Sequence, residues 1–200
     1  MSDRVSTPRV GVYPGSFNPF TVAHLAIAEA AVEQHHLDRL HLTISRTALV
    51  KGAIEVPTFA HRVEVLAAVA HQHDWLDVII TSEQLLADIA DGYDVLVMGA
   101  DKWHQIHDTG FYGDDPATRD EAIASLPAVA IAPRPPLETP PELALDVEKH
   151  LGRVSSSAVR NGHTHWMHPV AKGFDDRTGA WSDHERYVAL LAGLSEGERR

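Results

Sequence analysis

Short apolar runs alternate with longer amphipathic runs along this chain, and this alternation restricts its fold more than any other feature. The apolar runs have the length and the side chains of buried strands. They are RVGVYP (9–14), RLHLTIS (39–45), WLDVIIT (75–81), YDVLVMGA (93–100) and AVAIAP (128–133). Because strand signals and helix signals follow one another in turn, the sequence predicts an α/β fold, a parallel sheet with helices on both faces.

Helix signals fill the segments between these strands. In residues 57–70, four apolar residues recur at the spacing of one helix face, namely Phe59, Val63, Leu66 and Ala70. Thr81 and Gln84 have the spacing of a capping box before the run LLADIA. Asp115 followed by Pro116 predicts the start of a further helix. Each of these helices would connect one strand to the next.

The last third of the chain is less regular. PRPPLETPPEL (133–143) contains too many prolines for a helix and predicts a surface loop. DHERYVALLAGL (183–194) is typical of an amphipathic helix. We expect one domain over residues 1–200, with the α/β core at about 9–161 and a helical C-terminal segment at about 162–200.

The composition excludes several classes of function. A formal net charge of −11 and a pI of about 5.6 argue against sequence-independent binding of nucleic acid or of an anionic membrane. The absence of cysteine excludes a disulfide framework, a thiol nucleophile and a thiolate metal site. Since neither a signal-peptide core nor a membrane-spanning apolar run is evident, we expect a cytoplasmic protein. Small phosphate-bearing ligands remain open, as does a homo-oligomer.

The stretch GVYPGSFNPFTVAHLAIAEA (11–30) changes from turn-forming to helix-forming residues at its middle. Gly15 would let the chain turn sharply and let a ligand approach the backbone. Ser16 and Phe17 would then offer backbone N–H groups to that ligand. Ligands of open parallel sheets bind beyond the carboxyl ends of the strands, which is where this loop is expected to lie.

A helix is expected to follow this loop. Thr21 can cap the helix, and His24 would lie one turn further along on the same side. The turn, the helix end and the imidazole would then converge on one anion. An ordinary strand-to-helix turn that contains a histidine accounts for the stretch equally well.

A second, hydroxyl-rich stretch favours the ligand-binding interpretation. RVSSSAVR (153–160) places the hydroxyls of Ser155, Ser156 and Ser157 at the start of a short helical run, with Arg160 one turn further in. Free N–H groups, the positive end of the helix dipole and a guanidinium would together bind a polyphosphate. The simpler alternative is a serine cap followed by a surface arginine.

These two stretches resemble the two signatures of one enzyme superfamily. GSFNPFTVAH resembles the first signature of the HIGH-type nucleotidyltransferases, and VSSSAVR resembles the second, in the same order. MGADKWHQI (98–106) and RDEAIASLPAVAIAPRP (119–135) are similar to segments of bacterial nicotinate-mononucleotide adenylyltransferases. The resemblance extends, with gaps, from about residue 9 to residue 161.

The resemblance implies a Rossmann-like sheet and the transfer of a nucleotidyl group. A phosphate of a small acceptor, most simply nicotinate mononucleotide, would attack the α-phosphate of ATP, and pyrophosphate would leave. Mg²⁺ that accompanies the ATP would neutralise the phosphates. The protein would therefore position the substrates and stabilise developing negative charge, without forming a covalent bond itself.

The resemblance also implies roles for individual residues. Thr21, His24 and Arg160 would carry catalysis, with Thr21 and His24 in contact with the triphosphate and His24 as the main stabiliser of the transition state. The nucleotide-binding residues would be Gly15, Ser16, Phe17, Gly99, Asp101, Ser155, Ser156 and Ser157. The last two serines and Arg160 would hold the β- and γ-phosphates.

The sequence departs from these enzymes mainly where they recognise the acceptor. Their Pro-Pro-His-Lys pattern is missing from residues 45–57, where Lys51 is a candidate replacement and equally a surface charge. Trp103 follows the GAD run, and it would either stack on a pyridine or purine ring or serve as a core or interface aromatic. Ala23 stands where the first signature has glycine, and its methyl group would crowd a nucleotide lying over the helix.

Three histidines lie close together in HTHWMH, namely His163, His165 and His168. Three neutral imidazoles can bind Zn²⁺ or Ni²⁺, but no carboxylate completes an evident site. We therefore expect no functional metal here. These histidines would instead line the second-substrate site or the surface of the C-terminal segment.

Three functions remain to be distinguished. The first is adenylyl transfer from ATP to nicotinate mononucleotide. The second keeps the reaction class and changes a substrate, with phosphopantetheine as the acceptor or CTP as the donor. The third is a nucleotide-binding relative without turnover, and the joint presence of His24 and Arg160 argues against it.

Overall fold

Five parallel strands form one sheet within residues 7–46 and 56–197, the part of the chain that the computed structural model describes. The strands are Val10–Pro14 (β1), Arg39–Ser45 (β2), Leu76–Thr81 (β3), Val95–Gly99 (β4) and Ala128–Ala132 (β5). Their order across the sheet is β3-β2-β1-β4-β5, and every neighbouring pair is parallel. Each strand lies within a run that the sequence predicts as a strand.

Helices connect these strands and follow the last of them. The α-helices of the described residues are Val22–His35 (α1), Phe59–Ala70 (α2), Leu86–Ala90 (α3), Ala100–Gln105 (α4), Pro116–Ala124 (α5), Ser156–Arg160 (α6), Pro169–Thr178 (α7) and His184–Gly197 (α8). Among them, no helix has the length and apolar character needed to cross a bilayer. The helix predicted at 183–194 is confirmed as α8.

Each face of the sheet is buried under a different set of helices. On one face, α1 and α2 form an apolar cluster with the sheet that includes Ala31, Leu42 and Leu66. On the other face, α3 and α4 form a second cluster that includes Ala90 and Leu96. Successive residues of a strand point to opposite faces, so each central strand contributes to both clusters. The predicted α/β fold with helices on both faces is confirmed.

Local sequence signals set most of the helix starts. Thr21 caps α1 and Asp115 caps α5, as predicted. The capping box predicted at Thr81 and Gln84 is wrong, because Thr81 is the last residue of β3. Its hydroxyl accepts a hydrogen bond of 3.0 Å from the backbone N–H of Glu83, and α3 begins later without a side-chain cap.

The C-terminal segment packs against α2. The sequence does not predict α7, which joins α8 and α2 in a third apolar cluster that includes Val65, Met167, Phe174, Trp181 and Tyr187. The Tyr187 hydroxyl accepts a hydrogen bond of 2.9 Å from the backbone N–H of Thr58. It also lies 2.5 Å from Nδ1 of His61. These contacts hold α8 against the start of α2.

Candidate active site

The centre of the sheet is where the fold places a ligand crevice. β1 pairs with β2 on one side and with β4 on the other, so the strand order reverses between β1 and β4. Such a reversal leaves a crevice beyond the carboxyl ends of the two strands. Residues 15–21 follow β1, and Gly99 and Asp101 lie at the end of β4. The fold therefore brings the first signature and the GAD run to one edge of the sheet.

The loop after β1 is tightly packed on itself. Phe17 has a φ of 44° and is only 2% exposed. A Cβ atom built on Gly15 would lie 2.8 Å from the Phe17 ring, which is too close for two carbon atoms. The backbone N–H of Gly15 donates a hydrogen bond of 3.0 Å to the Thr43 carbonyl of β2. Glycine at this position thus makes room for Phe17, a packing role that the sequence analysis does not foresee.

Thr21 and His24 form a reciprocal cap at the start of α1. The backbone N–H of Thr21 donates to His24 Nδ1 at 2.9 Å, and the Thr21 hydroxyl lies 2.9 Å from the same nitrogen. Thr21 is 0% exposed, and its expected contact with a triphosphate stays a prediction. Through these two contacts Thr21 fixes the orientation of the His24 ring.

His24 is held as a neutral imidazole. Because Nδ1 accepts the Thr21 N–H, the proton of the neutral ring lies on Nε2, which is left as a donor. Burial and, to a smaller extent, the positive charge of Arg134 lower the pKa of His24 to about 3. The rings of Phe17 and Phe20 each lie 5.3 Å from the imidazole, measured between ring centroids. At neutral pH the site therefore presents an uncharged N–H donor among aromatic rings.

Ala23 is a buried residue of α1. It is 3% exposed, so its methyl group lies inside the protein. The expected crowding of a nucleotide by this methyl group stays a prediction.

The second signature packs directly against the first. Ser155 caps α6 by accepting a hydrogen bond of 3.1 Å from the Ala158 N–H. The Ser156 hydroxyl donates to the Pro19 carbonyl at 2.7 Å. Arg160 donates through one guanidinium nitrogen to the Asn18 carbonyl. The two loops, which lie more than a hundred residues apart in the sequence, therefore meet at the same crevice.

Arg160 and Ser157 form the exposed part of this junction. Both residues are exposed, and the second terminal nitrogen of Arg160 donates to the Ser157 hydroxyl at 3.3 Å. The guanidinium thus lies at the surface with its orientation partly fixed. An exposed, oriented guanidinium of this kind suits the binding of a phosphate.

Asp101 and Arg134 lie at the carboxyl ends of β4 and β5. Gly99 ends β4, and a Cβ atom on it would lie 2.5 Å from the Asp101 carboxylate. That carboxylate pairs with Arg134 at 3.8 Å. The Pro-Arg-Pro run at the end of β5 is evident in the sequence, but the sequence alone assigns no role to Arg134. Its position two residues after the end of β5 is the signal that could have identified it.

Trp103 lies on α4 at the side of this edge. It is half-buried against the apolar cluster beneath α4, and its ring meets His107 edge-on at 4.5 Å. One side of it lines an open cleft of about 490 Å³, whose other lining residues are His104, Glu138, Thr139, Pro140 and Pro141. Both the core role and the ligand-facing role thus have a structural basis, and acceptor binding by Trp103 stays a prediction. Lys51 lies outside the described residues.

Arg62 is a site residue that the sequence analysis misses. α2 buries Leu66 as predicted, but it also buries Arg62, which is only 4% exposed. Arg62 donates to the Ser16 carbonyl at 3.2 Å and lies 5.7 Å from the centre of the Phe59 ring. Arginine is rarely buried, so a helical pattern alone places it on the solvent face. Only the folded chain shows that it supports the first loop.

Of the three C-terminal histidines, His163 and His165 contact the same tryptophan, and His168 caps a helix. His163 stacks on Trp166 with ring centroids 4.5 Å apart. His168 is buried, which lowers its pKa, and its Nδ1 accepts the Val170 N–H at 3.3 Å to cap α7. Within the described residues, no group of three or more histidine, aspartate or glutamate side chains is arranged to hold a metal ion.

A match to a known protein family agrees with this geometry. Residues 12–162, more than half of the chain, match the model of the cytidylyltransferase-like family. The chain belongs to the cytidylyltransferase-like family. Both signature loops lie within the residues that the family model matches, whereas α7 and α8 follow them. The resemblance to nucleotidyltransferases drawn from the sequence is confirmed at the level of this family.

Individual proteins are also similar to this member of the family. The probable nicotinate-nucleotide adenylyltransferase of Lachnoclostridium phytofermentans is 36% identical over 58 residues, which cover 29% of this chain and 29% of that relative. The nicotinic acid mononucleotide adenylyltransferase of Plasmodium falciparum, complexed with NaAD, superposes with a TM-score of 0.58 at 15% identity, over 86% of this chain and 96% of that one. Its complex with APC gives a TM-score of 0.58 at 14% identity. At these identities the structural likeness shows a shared fold.

Proposed function

We propose that this protein transfers AMP from ATP to the phosphate of a small acceptor, nicotinate mononucleotide, and releases pyrophosphate. One observation carries the proposal: the two signature loops meet at the crevice with a neutral, oriented His24 on one side and an exposed Arg160 on the other. The name of the Lachnoclostridium relative and the NaAD bound to the Plasmodium enzyme support the choice of acceptor.

The proposed reaction needs no nucleophile from the protein. An oxygen of the acceptor phosphate attacks the α-phosphorus of ATP, the bond between the α-phosphorus and the bridging oxygen breaks, and that oxygen leaves with pyrophosphate. Negative charge builds on the α-phosphate oxygens and on the leaving group as the bonds exchange. Catalysis then depends on how the protein positions the two phosphates and stabilises this charge.

His24 is the residue best placed to stabilise the transition state. Its Nδ1 is occupied by the cap on α1, so Nε2–H is the donor that remains for a phosphate oxygen. A donor fixed in advance in a poorly solvated site loses little energy to reorganisation when the charge develops. Thr21 contributes by holding the ring in this orientation.

Arg160 and the serines of the second signature would hold the β- and γ-phosphates. Arg160 and Ser157 are exposed and hydrogen-bonded to each other, so a phosphate can reach both side chains without displacing buried groups. Ser155 and Ser156 are already engaged in the cap of α6 and in the bond to Pro19. The side chains of these two serines would shape the loop, and their backbone N–H groups would donate hydrogen bonds to the nucleotide.

Gly99 and Asp101 would hold the nucleoside or the acceptor, and Trp103 would stack on its ring. Asp101 places one carboxylate at the sheet edge, and no cage of several metal-binding side chains is present in the described part of the chain. This donor set fits Mg²⁺ that arrives on the nucleotide, because Mg²⁺ takes most of its ligands from phosphates and water. When bound, it would neutralise phosphate charge.

The proposal is tested by following pyrophosphate release from purified protein with Mg²⁺ and a grid of substrates. ATP and CTP serve as donors, and nicotinate mononucleotide, nicotinamide mononucleotide and phosphopantetheine serve as acceptors. We expect the highest kcat/KM for ATP with nicotinate mononucleotide. A preference for CTP or for phosphopantetheine would change the proposed donor or acceptor but leave nucleotidyl transfer as the reaction. Binding of ATP without turnover of any acceptor would reject the proposed activity.

A further inference from the structure

A hydrogen bond links the C-terminal segment to the first signature loop. The indole N–H of Trp181 donates to the side-chain oxygen of Asn18 at 2.7 Å. Trp181 is 7% exposed and belongs to the apolar cluster of α7 and α8. We infer that Trp181 is a positioning residue for nucleotide binding, acting through Asn18 on the first loop and on Arg160. The inference rests on the proposed function and extends it to residues that lie beyond the match to the family model.

Asn18 is the point at which three parts of the chain meet. Its side chain accepts the indole N–H of Trp181, and its backbone carbonyl accepts a hydrogen bond from Arg160. Asn18 therefore connects the C-terminal segment to the guanidinium that is proposed to hold the triphosphate. A shift of Asn18 would move the acceptor that orients Arg160.

The next two residues of the loop are also held by distant groups. The Pro19 carbonyl accepts the Ser156 hydroxyl at 2.7 Å, and the Phe20 carbonyl accepts the backbone N–H of His168 at 3.1 Å. These two bonds fix the backbone after Asn18. The bond from Trp181 is the contact that fixes the Asn18 side chain itself.

The position of Trp181 is in turn set by a buried carboxylate. Asp175 of α7 is 2% exposed. One of its oxygens accepts the backbone N–H groups of Trp181 at 2.7 Å and Ser182 at 3.0 Å, and the other accepts the Ser182 hydroxyl at 2.7 Å. A buried carboxylate is costly unless donors surround it. Here three donors do so, and they fix the turn that presents the indole to the loop.

The two ends of the Trp181 side chain serve different purposes. The ring packs beside Phe174, with ring centroids 5.9 Å apart, and this packing stabilises the C-terminal segment. The N–H group contributes nothing to that packing and reaches the nucleotide loop instead. Phenylalanine at this position keeps an aromatic ring and lacks only the donor and the second ring. Trp181→Phe therefore removes the donor and keeps part of the packing, so it is compared with a tryptophan that loses the same second ring elsewhere in the cluster.

The first experiment compares Trp181→Phe with Trp166→Phe, a matched control. Trp166 packs against the same apolar cluster and stacks on His163. We expect Trp181→Phe to raise the KM for ATP about threefold to tenfold, the typical effect of losing one hydrogen bond, with kcat changed less than about twofold. Trp166→Phe should leave both constants unchanged. Equal effects of the two substitutions on KM would overturn the inference.

A double-mutant cycle shows whether Trp181 acts through Asn18. If it does, Asn18→Ala already removes the connection, and adding Trp181→Phe should raise the KM for ATP no further. Independent, multiplying effects of the two substitutions would mean that Trp181 acts by some other route, and the inference would be wrong.

A measurement without substrate separates this inference from the proposed function. Amide hydrogen exchange is followed over residues 15–24 in the wild-type protein and in both tryptophan variants, without nucleotide. We expect faster exchange in this loop for Trp181→Phe and unchanged exchange for Trp166→Phe. If the wild-type protein turned over none of the acceptors, the proposed enzymatic activity would be rejected. The exchange result would still decide whether Trp181 positions the loop. Equal exchange in all three proteins would reject the positioning role.

Discussion

The two signature loops meet at one crevice and differ sharply in their surroundings. In the first loop, Thr21 is 0% exposed and Phe17 is 2% exposed, and aromatic rings surround His24. In the second, Ser157 and Arg160 are exposed, on a helix of only five residues. A buried, fixed donor suits a charge that appears only in the transition state, whereas an exposed cation suits a charge already present on the substrate. Under the proposed function, the first loop would therefore serve catalysis and the second would serve binding.

Charge follows the same division. Burial holds His24 neutral, so it donates a hydrogen bond without bringing a net charge into the poorly solvated loop. Arg160 carries its positive charge at the surface, where water solvates it before the triphosphate arrives. A charged imidazole in the first loop would be destabilising there. In the proposed reaction the two loops would therefore contribute different kinds of electrostatic interaction.

Replacing His24 should have the largest effect on the chemistry. We expect His24→Ala to lower kcat by roughly a hundredfold or more, the size seen when a transition-state donor is removed, with a much smaller change in the KM for ATP. Steady-state and single-turnover rates of pyrophosphate release would measure it. An unchanged single-turnover rate would exclude His24 from the mechanism. The proposal that the first loop serves catalysis and the second serves binding would then fail.

His24→Gln controls for damage to the helix start. Glutamine three residues after a threonine cap can still accept the Thr21 N–H, as in a capping box. The variant should therefore melt close to the wild-type protein while it lacks the imidazole. A slow but fully folded His24→Gln protein would assign the rate loss to the imidazole, and a melting temperature far below wild type would assign it to the fold.

Replacing Arg160 should affect binding more than chemistry. We expect Arg160→Ala to raise the KM for ATP about tenfold or more, because hydrogen bonds to charged groups contribute about 1.5–3 kcal/mol, with a smaller change in kcat. Arg39→Ala is the matched control, because Arg39 begins β2 at the opposite edge of the sheet and pairs with Asp77. An Arg160→Ala protein with a wild-type response to ATP concentration would contradict the assignment.

The strands and the first helix are predictable because their signals are local. β2 lies where the apolar run predicts it, and the threonine cap marks the start of α1. α7 escapes prediction because its sequence, PVAKGFDDRT, contains a glycine at its centre and buries Asp175 among its apolar residues. A buried carboxylate interrupts the pattern by which amphipathic helices are recognised.

The candidate site shows the same limit in a different way. His24 and Arg160 are found from the sequence because each belongs to a short motif. Arg62, Arg134 and Trp181 come from other segments and reach the first loop or its surroundings only when the chain folds. No spacing rule connects residues that lie tens of positions apart, so sequence patterns identify the candidate phosphate-binding groups and leave out the residues that hold them.

The last expected effect is on stability and not on catalysis, and it tests whether the first loop keeps His24 neutral. Unfolded, His24 binds a proton near its ordinary pKa of 6.5, whereas in the folded protein it does so only near 3. Between these values the unfolded state binds more protons, so the free energy of unfolding should fall as the pH falls, by up to about 1.4 kcal/mol per pH unit from this residue.

His24→Gln isolates this contribution, because the variant keeps every other titrating group. The free energy of unfolding is measured by urea denaturation of both proteins at several pH values between 7.5 and 4.5. We expect the wild-type protein to lose stability faster than the variant below about pH 6.5, with the two curves parallel above it. Parallel curves throughout would mean that folded His24 titrates normally. Below about pH 6 the first loop would then carry a cation, as the second loop does. The electrostatic difference between the two loops would be lost.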